Sequence, residues 1–204
     1  MATKPFYGNP ATDAPVFGKY AVLLSGLTST TPTGTPAGAT LASMGFILND
    51  PSGTPVTTEW DPVGALDDDN PMDDGEESID ITNHSAAGLG VYAKTFKNQQ
   101  ETISFTALER TLRTLGVLHN AAGLTDSAGV ISGKLKLRDP LRKFRVGLVR
   151  HNDTTLERKV SENYGQIDTI SRSLSDGKPT FTVTMTVYPD ASEEVWDYYL
   201  GPKA

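Results

Sequence analysis

Cysteine is absent from all 204 residues, which rules out disulfides and thiolate metal sites and leaves the redox compartment open. Histidine is scarce: His84, His119 and His151 lie on separate segments without metal-ligand spacing and read as loop or surface residues. The longest apolar run, Ala21-Val22-Leu23-Leu24, falls far short of the roughly 20 residues a membrane helix needs. Met1 to Pro15 has no basic patch followed by an apolar core, so it does not read as a secretory signal. The chain therefore reads as soluble and made without export, and the sequons at Asn83 and Asn152 read as chance matches. Positive charge is also short. Eighteen Lys and Arg against 25 Asp and Glu leave a net charge of −7, which argues against a protein that grips nucleic-acid phosphate.

Motifs that would carry chemistry fail on inspection. No G-x-S-x-G nucleophile elbow is present. Gly88-Leu89-Gly90-Val91-Tyr92-Ala93 has the form of a dinucleotide fingerprint, but strand follows it and no βαβ pattern surrounds it. Gly129 to Lys134 is one residue short of a phosphate loop, and Leu135 stands where a hydroxyl is needed. Aligning Gly75 with the sixth position of a calcium loop puts Met72 and Ile81 where oxygen ligands belong. The expectation is no enzyme, no cofactor and no metal.

What the chain does have is alternation. Thr180-Phe181-Thr182-Val183-Thr184-Met185-Thr186-Val187 alternates hydroxyl and apolar side chains for eight residues. A strand sends successive side chains to opposite faces, so Thr180, Thr182, Thr184 and Thr186 form one wet face. Phe181, Val183, Met185 and Val187 form a dry one. Further strands are expected at Lys19–Leu24, Lys134–Leu137, Phe144–Arg150 and Tyr164–Ser173, the last joined to Thr180–Tyr188 by an Asp176-Gly177 hairpin turn. Val91 to Leu108 reads as another hairpin, turning at Lys97-Asn98-Gln99-Gln100 and placing Phe105 in the core. Leu108, Leu112, Leu115 and Leu118 stripe one helix over Arg110–Asn120, with Leu112 and Leu115 as core residues. Residues 1–18 read as an extended arm and 28–40 as a Thr/Pro/Gly loop. Residues 59–80, with ten acids and no base, read as a solvated loop; Lys134 to Lys159 hold nine basic residues against three acidic. The fold class is mainly β: one antiparallel sandwich or barrel domain with a flanking helix, an N-terminal arm and long loops.

Three segments carry a family resemblance. The first is Phe17 to Leu27, then the Thr-rich loop and Leu41 to Ile47. The second is Tyr92 to Glu109 leading into the leucine-striped helix. The third is Thr182 to Ser192 with the aromatic tail Val195-Trp196-Asp197-Tyr198-Tyr199. Together they resemble the major tail tube proteins of long-tailed, non-contractile (siphovirus-type) bacteriophages of actinobacteria, although the enlarged acidic stretch at 61–78 departs from that family. The resemblance implies a β-sandwich that assembles with itself as six-fold rings stacked into a hollow tube. DNA would pass through this tube without specific binding. It implies a virion protein made in the host cytoplasm, with tape measure, tail terminator and distal tail proteins as partners and no membrane. Thr180, Thr182, Thr184 and Thr186 become candidate lumen residues. Phe6, Tyr7, Asp67, Asp68, Asp69, Arg142 and Lys143 become candidate contacts between subunits or rings. The rival readings are a monomeric β-sandwich that binds carbohydrate or protein, with calcium at the acidic loop, and another ring-forming tail part such as a terminator. A hydrolytic site built on His84 or His151 is the weakest reading.

Overall fold

The computed structural model describes residues 19–32, 36, 40–49, 58–67, 71–73, 75, 77–86, 90–108, 112–119, 123–127, 130–175 and 178–202. These residues are mainly β, in antiparallel sheets with one short helix. One leaf runs β12 (Trp196–Pro202), β9 (Thr155–Ser161), β8 (Lys143–His151), β1 (Lys19–Ser25) and β2 (Trp60–Pro62). The other runs β10 (Gly165–Ser175), β11 (Lys178–Val187) and β5 (Gly90–Ala107), with β3 (Met72–Asp73) and β4 (Glu77–Ala86) along the far edge of β5. β8 and β10 join the leaves at two register pairs, Phe144 with Gly165 and Lys143 with Gln166. Gly165 permits this corner, because a Cβ there would lie 2.9 Å from a Val146 methyl. A separate hairpin pairs β6 (Leu124–Ser127) with β7 (Val130–Gly133), and α1 covers Leu112–Leu118.

The core follows from period-two patterning. Phe181, Val183, Met185 and Val187 of β11 are all at most 3% exposed and meet Ile103 and Phe105 of β5. Val22, Leu24, Phe144, Val146 and Leu148 of the other leaf face them. Each such fully buried side chain contributes about 1.5–3 kcal/mol. β1 is apolar on both faces because its outward Leu23 lies under Met44, Phe46 and Trp60, which cover the first leaf from outside. Buried arginines pin that cover. Arg145 donates from Nε and Nη2 to the Ser161 carbonyl and from Nη1 to the Ser29 carbonyl, and Arg158 donates to the Met44 carbonyl at 2.8 Å.

Several expectations change. The acidic stretch 59–80 is not a solvated loop throughout. Trp60, Asp61, Val63 and Met72 are buried, because apolar residues between the acids reach both leaves, and β4 begins at Glu77. Residues 97–100 do not turn; β5 runs straight through them for 18 residues, about 60 Å, and its partner is β4. They contain no Gly or Pro to stop a strand, and a register shift there absorbs one extra residue on β5. Lys134–Leu137 is not a strand segment, whereas β9 forms a hairpin with β8 and β12 returns from far along the chain to pair with β9 at the edge of the first leaf. His119 and His151 are buried rather than at the surface. Among the described residues, no helix is long and apolar enough to cross a membrane.

Candidate functional site

The wet face of the second leaf extends over three strands. Register sets Thr106, Thr182 and Ser171 side by side, then Ser104, Thr184 and Thr169, then Thr102, Thr186 and Gln166. Directly opposed residues of an antiparallel pair share a face, so these rows form one continuous field of hydroxyl and amide groups. Thr180 joins it opposite Ser173, with the two hydroxyls 2.6 Å apart. Thr106 and Thr182 hydroxyls are 3.3 Å apart. Thr180 and Thr186 are themselves buried, at 2% and 6% exposure, while Thr182 and Thr184 are half-buried. β11 is a central strand, so neighbours on both flanks cover the outer two threonines.

A bulge aligns β10 with this face. Ile167 pairs with Met185 but Thr169 with Thr184, so Asp168 is an extra residue. The phase flips there. Ile167 lies in the core, and beyond it Thr169, Ser171 and Ser173 turn to the wet face. Asp168 Oδ2 accepts a 2.7 Å hydrogen bond from the Thr186 hydroxyl. It is the one carboxylate among the wet-face positions just named, and none of them is cationic.

The same flip turns Arg172 to the dry face opposite Phe181, next to His119 at the end of α1. Arg172 Nη2 donates to the His119 ring, 3.3 Å from Nε2, and Arg142 Nη1 donates to the His119 carbonyl. Burial, then the Arg172 and Arg138 charges, push the His119 pKa down from 6.5 to about 4. The unfolded chain therefore binds the extra proton between those values. His119 contributes stability that is complete above about pH 6.5 and is lost as the pH falls through about 4, on the order of 2 kcal/mol. Urea midpoints at pH 7 and pH 4.5 are expected to differ less in a His119→Gln variant than in the natural chain. Equal pH dependence would exclude this histidine as the cause.

The remaining candidate residues are dispersed. Leu115 packs at the core margin, and the Leu112 side chain lies outside what is described. Asp67 is half-buried, and its amide donates to the Thr106 carbonyl. Arg142 donates to the Gly116 carbonyl at 3.0 Å and lies over the Phe144 ring; burial lowers its pKa. These bonds tie the half-buried Arg142 to the C-terminal end of the helix. Lys143 Nζ lies 3.8 Å from the Tyr164 ring centre. Phe6, Tyr7, Asp68 and Asp69 lie outside the described residues. Among the described residues, no three His, Asp or Glu side chains gather closely enough to hold a metal ion.

Sequence reasoning missed β4 and the β10 bulge. The alternation of Ser78-Ile79-Asp80-Ile81-Thr82 signals β4, but the surrounding acids obscured it. The bulge has no comparable signal, since Asp168 is unremarkable in a polar strand. No family model matches the chain, and no curated protein matches it.

Proposed function

We propose that this chain is a structural subunit that polymerises as stacked six-fold rings into the hollow tail tube of a long-tailed, non-contractile bacteriophage. The observation that carries this reading is the second leaf, which is hydroxyl-covered on one face, buried on the other and open at both flanks. Among the described residues, β10 has no strand beside its outer edge from Thr169 to Ser175, and β4 at the opposite edge pairs only with β5. Unpaired edges of this length invite further strands, and ring closure removes them. The three rows at the centre of this face, from Thr106 to Gln166, hold no cation for DNA phosphate to condense on, which suits a conduit.

Negative-stain electron microscopy of the concentrated protein tests this. Hollow tubes or stacked annuli are expected. Single rings that never stack would favour a tail terminator. Monomers that gain thermal stability with calcium or sugar would replace the reading with a binding module.

A further inference from the structure

The third row of the wet face does not stop at Gln166. Gln166 pairs in register with Lys143 of β8 as well as with Thr186, so Thr102, Thr186, Gln166 and Lys143 form one row across four strands. Phe144, the next residue of β8, lies in the core, and alternation sends Lys143 to the opposite face. Two tyrosines border the end of this row. The Tyr188 amide donates to the Tyr164 carbonyl at 2.9 Å, which carries the β10–β11 pairing one step beyond Gly165 and Val187. Tyr164 and Tyr188 therefore follow Gln166 and Thr186 on the same face, with ring centroids 5.0 Å apart.

The aromatic pair holds a cation. Lys143 Nζ sits 3.8 Å from the Tyr164 ring centre, and Lys143 stays exposed while both tyrosines are half-buried. Asp168 is the nearby carboxylate of this face, and its Oδ2 is already taken by the Thr186 hydroxyl. Arg138 lies at the adjacent edge of β10, where it donates to the Ile167 and Asp168 carbonyls, both at 2.6 Å. The wet face thus passes from a centre without cations to a basic border at β8.

We propose that Lys143, steadied by Tyr164, is a phosphate contact for DNA in transit, placed at the border of the hydroxyl face. This rests on the tube reading and adds the residue through which the wall touches its cargo. It makes Lys143 a group of the lumen rather than a contact between copies. The contact is independent of sequence, since an ammonium on a phosphate reads charge and not base. A cation held over an exposed aromatic ring is held weakly, so the ammonium can leave Tyr164 for a phosphate and return. One cation per subunit releases few counterions, which keeps the hold weak and sensitive to salt.

Lys143→Gln and Lys143→Arg are introduced into assembled particles, their tubes are inspected by electron microscopy, and DNA release is timed at low and high salt. Lys143→Gln is expected to release DNA about threefold faster at low salt, with the difference gone at high salt. Lys143→Arg is expected to keep the natural rate, because it keeps the charge. Unchanged release through intact Lys143→Gln tubes would overturn the contact and leave the tube reading standing. Faster release that salt does not abolish would also overturn it, since a wider bore rather than a lost charge would be the cause. Loss of tubes from a folded Lys143→Gln subunit would place Lys143 between copies and rule out the lumen role. Absence of tubes from the natural chain would remove both readings.

Discussion

Phe181→Ala is expected to lower the unfolding free energy by about 3–5 kcal/mol. Phe181 is 3% exposed at the middle of the sandwich, pairs with Ala107 and Arg172 across its two neighbours, and meets the His119 ring edge-on at 5.7 Å between centroids. β11 is held on both sides by strands, so the cavity cannot collapse by moving the backbone. Thr182→Ala one residue away is the matched control. It removes only a half-buried hydroxyl with one 3.3 Å partner, and its cost should stay near 1 kcal/mol. Urea unfolding of the two variants compares the faces of one strand directly. Equal costs would mean that the burial of Phe181 does not carry the stability of this strand.

The contrast also shows what could be read in advance. The faces of β11 were legible because every second residue has the same character and the strand is buried on one side only. The long ribbon was not. Beyond Glu101 no second leaf covers β5 among the described residues, and alternation fades over the polar run Lys97 to Gln100. β10 was legible as a strand but not in phase, since Asp168 shifts every later side chain to the other face. The helix stripe was correct in kind, with Val117 and Leu118 buried at 1% exposure, but Thr114 is equally buried because its hydroxyl donates to the Val63 carbonyl. Arg145 and Arg158 belong to the basic segment from Lys134 to Lys159, yet both are buried at 7% and 3% exposure. Composition does not reveal which arginines find backbone carbonyls inside the fold. The candidate site was legible along one strand only. The threonines of β11 were visible, whereas the hydroxyls of β5 and β10 join them through pairings that no local pattern encodes.

Thr182→Lys combined with Thr184→Lys is expected to slow DNA release from assembled particles on the order of tenfold at low salt while tubes still form. These two threonines are the half-buried pair at the centre of the wet face, so a lysine there can extend its ammonium away from the sheet. Thr180 and Thr186 are poorer choices. They are buried and bonded to Ser173 and Asp168, and lysine there would cost folding before it tested transit. In the proposed six-fold ring, two lysines per subunit make about twelve, and the same number recurs in every ring stacked above it. Each cation that pairs with phosphate releases condensed counterions, so the retardation should weaken steeply as salt rises. That salt dependence separates electrostatic holding from a narrowed bore, which salt would not relieve. Unchanged release through intact tubes would remove this face from the lumen and leave the tube reading to stand on assembly alone. Loss of tubes with a normally folded subunit would place Thr182 and Thr184 at a contact between copies instead.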